Sequence, residues 1–141
     1  MNTYNLIYPM FAMVLLTFVL LVALFRSRVK SVRKGEISVY FYKTYQGDVE
    51  PDATLKLTQH IANIFEAPTL FYVVCVVAMV LGEQALAFQF LAWAYVLLRV
   101  IHAYIHTGSN KLKRRMIAYF SSWIVLLIMW AYLVVVVSFS S

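Results

Sequence analysis

Charge is what this sequence has least of. Of its 141 residues only 13% are charged and 63% are hydrophobic, against roughly a quarter charged in a soluble domain. A water-soluble fold cannot hide that much apolar surface, so the class is integral membrane. Acids are scarcer still: 6 Asp and Glu stand against 12 Lys and Arg, a net charge of +6. In a membrane protein such an excess reports orientation and anionic headgroups, not a nucleic-acid partner. A single cysteine, Cys75, excludes an internal disulfide, and amid valines and alanines it reads as a buried packing thiol. There is no internal repeat and no low-complexity tract. No basic n-region precedes Leu6, and no small-residue cleavage site follows Phe25. The first apolar run therefore reads as a retained span rather than a signal peptide. The length suits one domain, 1–141, with none left over for a second.

What is present is four apolar segments, about 6–26, 55–82, 84–107 and 116–138, each near the roughly 20 residues that cross a bilayer. The fold expected is an all-α, integral membrane four-helix bundle. The linker 27–54 is the only long one. It opens on the basic run Arg26 to Lys34, with Gly35 as a helix C-cap. Within it, Ile37 to Tyr42 alternates, which fits either a short strand or an ordered loop on the bundle. Asp52 or Thr54 caps the second span. Gly82-Glu83-Gln84 is so short that spans two and three form an antiparallel hairpin. Arg26, Arg28, Lys30, Arg33, Lys34, Lys43 and Lys56 then share one membrane face with Arg99, Lys111, Lys113, Arg114 and Arg115. The positive-inside rule makes that face cytoplasmic and both termini non-cytoplasmic.

An ionisable side chain at the centre of a spanning helix costs on the order of 2.5–3.5 kcal/mol, so each needs a partner or a job. Arg99, His102 and His106 are spaced i, i+3, i+7 and lie along one helix face. His60, Asn63 and Glu66 step i, i+3, i+6 and share a face of the second span. Glu66 lies roughly 15 Å from that helix's start, at a depth comparable to Arg99, so a Glu66–Arg99 ion pair is the simplest way to satisfy both. Pro68 follows and loosens the helix by removing a backbone donor. The two stripes read either as interhelical glue or as an anion-binding, thiol-handling site. His102 and His106 alone do not make a metal site, for no third ligand accompanies them. Arg115, one turn before Tyr119, opens the fourth span.

The stretches Asn63-Ile-Phe-Glu66-Ala-Pro68-Thr-Leu-Phe-Tyr72 and Arg99-Val-Ile-His102, with His106 and the Arg114-Arg115 turn, resemble the MAPEG family, membrane-associated proteins in eicosanoid and glutathione metabolism. The resemblance covers about residues 5–137 and is nearest a bacterial branch. It implies a homotrimer in a bacterial inner membrane, with glutathione as cosubstrate between helices of neighbouring subunits. The second substrate would be a lipophilic small molecule, an electrophile or hydroperoxide, and membrane lipids are expected as further partners. Transferred by motif, Asn63, Glu66, Arg99, His102 and Tyr119 fall at binding positions, and His60 is counted with them as a binding candidate of this chain's own. Arg115 falls where an arginine stabilises the glutathione thiolate, a one-residue shift to Arg114 being the alternative, and His106 falls where a tyrosine contacts the ligand. Two departures accompany the match. Gln59, His60 and Ala62 stand where glutathione-using members carry arginines, and His106 replaces that tyrosine.

Two functions are thus in view: a glutathione-dependent transferase or peroxidase, or a non-catalytic membrane protein of the same fold that binds a lipid or protein partner. A small multidrug exporter is excluded. Such exporters resemble one another in an essential glutamate in their first helix, and the first span here carries no charge from Leu6 to Phe25.

Overall fold

The structure, a computed structural model, describes residues 3–83 and 85–140. A 3₁₀ turn, Thr3–Leu6, leads into α1 (Ile7–Arg33). There follow α2 (Phe41–Thr44), α3 (Asp52–Ile64), α4 (Ala67–Val80), α5 (Leu86–Thr107) and α6 (Leu112–Ser140). Four segments are long and apolar enough to cross a membrane, with α3 and α4 together forming the second, Asp52–Val80. Their outward faces match that setting. Phe11, Phe18, Val80, Phe90, Leu97 and Leu127 are all exposed. In water each such side chain would forgo about 1.5–3 kcal/mol of burial; against lipid tails it forgoes little.

Inside, Met13, Phe71, Val74, Cys75, Phe88, Tyr95, Leu126 and Met129 form the main core. Phe71 of α4 stacks on Tyr95 of α5, with ring centroids 4.4 Å apart. Helix α5 lies at the centre of the bundle, packed against α1, α3 and α6. A smaller cluster of Leu20, Ile64 and Ala103 ties α1, α3 and α5 together. Cys75 is a free, fully buried thiol, as its apolar neighbours in sequence suggest.

The chain reverses where its glycines allow. At the end of α1 the Glu36 N–H bonds Ser31 O and the Gly35 N–H bonds Val32 O, both at 3.0 Å. Gly35 takes φ +72°, the left-handed conformation this closure requires. The end of α4 repeats the device. Glu83 N–H bonds Ala78 O at 2.9 Å and Gly82, at φ +70°, bonds Met79 O at 3.1 Å. The turn continues to Ala85, whose N–H donates to Glu83 Oε1 at 2.6 Å; Gln84, expected in the same connection, lies outside the described residues.

The long linker contains no strand among the described residues. Ile37 to Tyr40 forms turns that run into α2, which takes up Phe41 and Tyr42, so the ordered loop and not the strand is realised over the first four of these residues. Neither Asp52 nor Thr54 caps α3. Pro51 holds the N-cap position, and the buried Thr54 hydroxyl turns inward, 2.7 Å from Ser27 Oγ and 3.3 Å from Ser31 Oγ. One charged knot pins the linker to the bundle. Arg28 Nε donates to Glu50 Oε1 at 3.1 Å, and its Nη2 donates to Thr58 Oγ1 at 3.2 Å. Thr58 in turn donates to Glu50 Oε2 at 2.7 Å. The same guanidinium lies 4.9 Å over the Tyr42 ring. Burial, and then the Glu50 carboxylate, push the Tyr42 phenol above its ordinary value near 10.

Candidate functional site

The site begins with a broken helix. Pro68 has no N–H to offer Ile64, and its ring crowds that carbonyl. The second span therefore opens at Phe65 and Glu66, the latter at φ −89°, ψ −85°. The chain closes two tighter turns instead, Phe65 N–H on Ala62 O and Glu66 N–H on Asn63 O, each at 3.3 Å. The Asn63 carbonyl is then within reach of a second donor, and Arg99 Nη2 bonds it at 3.3 Å. Arg99 is 1% exposed. Its Nε and Nη1 are buried without a hydrogen-bond partner.

The expected Glu66–Arg99 ion pair is not formed. Among the described residues the ion pairs are Arg28–Glu50 and Lys34–Glu36. A continuous helix would have kept Glu66 on the face of His60 and Asn63. The break rotates it off that face, and its side chain is exposed on the outside of the protomer. Arg99 is instead held by a backbone dipole, a weaker counterpart than a carboxylate.

The polar face of α5 lies inward as its spacing requires: Arg99, His102 and His106 are all buried. His60 of α3 meets it. Its ring stacks 5.1 Å from His102 and lies 5.0 Å from His106, while His102 and His106 are 5.7 Å apart. His102 Nδ1 is 3.3 Å from Arg115 O, which fixes the ring against the start of α6. Both nitrogens of His60, Nε2 of His102 and Nδ1 of His106 have no partner. Among the described residues no three His, Cys, Asp or Glu side chains are placed to hold a metal ion.

In front of this cluster lies a cavity of about 270 Å³, lined by Asn63, His102, His106, Arg115, Met116, Tyr119 and Phe120. Five of the eight residues singled out in the sequence converge here: Asn63, His102, His106, Arg115 and Tyr119. Three do not. His60 is buried behind the histidines of the lining, Arg99 is buried against the Asn63 carbonyl, and Glu66 is on the outer surface. Of the two candidate arginines, Arg114 is exposed and Arg115 reaches the cavity. Tyr119 closes one side, its ring 5.6 Å from His102.

Sequence reasoning missed Asn110, Met116 and Phe120. Asn110 takes φ +48°, a conformation that asparagine tolerates better than most residues, and its Oδ1 accepts Arg115 Nη1 at 2.8 Å. That bond aims the guanidinium. An asparagine just after Gly108-Ser109 and before a helix was the available signal. Met116 and Phe120 follow Arg115 by one and five positions, so they bracket the face that carries Arg115 and Tyr119.

Chemically, the lining offers one cation, two imidazoles, a phenol and an amide at the basic end of the bundle. The opposite side is apolar. A second groove of about 570 Å³ runs along the outside of α6 past Leu112, Ile117 and Ile124, and shares Met116 and Phe120 with the cavity. A polar chamber at the mouth of a lipid-facing groove suits a polar reagent on one side and a lipophilic one on the other.

Comparison with known proteins bears on the fold and the motifs together. No curated protein and no solved structure matches the chain. The MAPEG family model, however, matches residues 6–135, nearly the whole of it. With four apolar spans and the helix-two and helix-three motifs converging at one end, this multi-pass membrane protein belongs to the MAPEG family.

Proposed function

We propose that this protein is a membrane-bound glutathione transferase or peroxidase, taking glutathione or a related thiol anion into the cavity beside Arg115. The observation that carries this reading is the placement of Arg115 next to two imidazoles and a phenol, at the mouth of an apolar groove. A guanidinium within a few ångströms of a thiol favours the thiolate and lowers a pKa near 8.5 toward working pH. Arg115 also lies in the first turn of α6, where the helix dipole favours an anion. His106 and His102 supply proton donors or acceptors beside the sulfur.

In transferase chemistry the thiolate sulfur bonds an electrophilic carbon, and the leaving group departs with the bonding pair. In peroxidase chemistry the sulfur takes the distal oxygen of a lipid hydroperoxide and an alkoxide leaves and is protonated; a second thiol then reduces the sulfenic acid, giving disulfide and water. The α6 groove is the entry for either lipophilic partner. The assembly that goes with this reading is a homotrimer. What supports self-association is Glu66, an exposed carboxylate in a spanning segment three residues from Asn63, where a neighbouring copy would supply the polar surroundings that lipid cannot; the number three rests on the family resemblance.

A second reading, a non-catalytic protein of this fold that binds a lipid or protein partner, has one observation in its favour. Among the described residues Arg115 is the one Lys or Arg of the cavity lining, whereas glutathione carries two carboxylates in addition to its thiol. Turnover of a model electrophile by the detergent-purified protein separates the two. The first reading expects glutathione conjugation that Arg115→Ala abolishes. Binding without turnover of electrophiles or hydroperoxides would favour the second.

A further inference from the structure

We propose that the basic end of α1 and the linker loop packed beside it form a binding site for one anionic phospholipid, separate from the Arg115 cavity and independent of what that cavity binds. Two adjoining depressions meet around Phe25. One, of about 340 Å³, is lined by Phe25, Val29, Arg26, Lys30, Arg33 and Lys34. The other, of about 440 Å³, lies between α1 and the loop and is walled by Val29, Val32, Val39 and Tyr42. Phe25, Val29 and Arg33 belong to both, so the cationic surface continues directly into the apolar cleft.

The charges fit a lipid phosphate. Arg26, Lys30 and Arg33 are exposed and have no acidic partner among the described residues. Lys34 alone is engaged, 3.7 Å from Glu36. These cations follow the uncharged stretch of α1, so they lie where headgroups lie, with long stems able to reach the interface. The cleft fits an acyl chain. Phe25 is 69% and Val39 61% exposed, a large apolar surface at the level where a soluble anion would bring nothing to cover it. Arg28 is not free to take part, because its guanidinium is committed to Glu50, Thr58 and the Tyr42 face. That commitment holds the loop at the distance from α1 that keeps the cleft open.

The test is native mass spectrometry of the full-length protein in detergent, titrated with phosphatidylglycerol or with phosphatidylcholine of the same chains. The proposal expects one retained phosphatidylglycerol per chain and little phosphatidylcholine. Replacing Arg26, Lys30 and Arg33 by Gln lowers retention by about fivefold per cation removed. The matched control, Lys111→Gln with Lys113→Gln and Arg114→Gln, leaves retention unchanged. Val39→Asn, on an exposed wall, lowers it with every charge unchanged. Glycerol phosphate without acyl chains fails to displace the lipid at equal concentration. Equal losses in the two triple variants would overturn the proposal, since retention would then follow total charge. So would displacement by glycerol phosphate, which would mean that a free phosphate is the ligand and the cleft contributes nothing.

Discussion

At the scale of single residues, Arg99 carries the sharpest choice between glue and site. Among the described residues its side chain makes one hydrogen bond, to a backbone carbonyl at 3.3 Å, and two of its nitrogens are unpartnered in the protein interior. A buried cation satisfied so poorly does not stabilise the fold, so Arg99→Met costs less than about 1 kcal/mol while weakening ligand binding at the basic end. A fall of several degrees in the unfolding midpoint, with binding intact, would identify Arg99 as glue. Tyr42 gives a pH test outside the membrane. Its phenol is raised by burial and by Glu50, so the fold favours the protonated form. That stabilisation is complete below the unfolded value near 10 and is lost as pH climbs through the higher folded value. Tyr42→Phe should therefore flatten the alkaline fall in the unfolding midpoint; an unchanged fall would remove Tyr42 from the account.

At the scale of elements, the break between α3 and α4 is what separates sequence expectation from structure. His102 and His106 were legible in the cavity because helical spacing places them on one face with Arg99, and that face is buried; Arg115 and Tyr119 were legible only through the family resemblance. Glu66 was misplaced because spacing on an ideal helix carries no information past Pro68, where the periodicity resets. Pro68→Ala should let the helix run through, give the Ile64 carbonyl a donor and displace the Asn63 carbonyl from Arg99. Four spans persist and ligand affinity falls. Unchanged affinity would show that the break does not shape the site. The linker makes the parallel case. Its alternation suggested a strand as readily as a loop, and the knot of Arg28, Glu50 and Thr58 that orders it joins residues up to 30 positions apart. No local pattern announces such a contact. Glu50→Gln leaves Arg28 without its carboxylate, which costs about 1–3 kcal/mol and should speed tryptic cleavage at the exposed Lys43.

At the scale of the whole molecule, the bilayer is what made the fold readable. Scarce charge, four apolar runs and two motif stretches specify a four-span MAPEG protein, and the packing of α5 among α1, α3 and α6 brings those motifs to one end. What the sequence could not supply is geometry between chains. In the protomer Glu66 is exposed within a spanning segment, where facing lipid costs on the order of 2.5–3.5 kcal/mol. The trimer reading expects that Glu66→Leu leaves the protomer folded but shifts its mass in detergent, read by sedimentation, from three chains toward one. A wild-type protein that sediments as a single chain would set that reading aside.

The central claim, that Arg115 and its neighbours bind a thiol anion, is tested most directly by calorimetric titration of the purified protein with glutathione. The account predicts saturable binding in wild type and in Arg114→Ala, whose side chain is exposed, and an affinity lower by on the order of tenfold or more in Arg115→Ala with the fold intact. Equal affinity in Arg115→Ala, or no binding in wild type at millimolar glutathione, would contradict it.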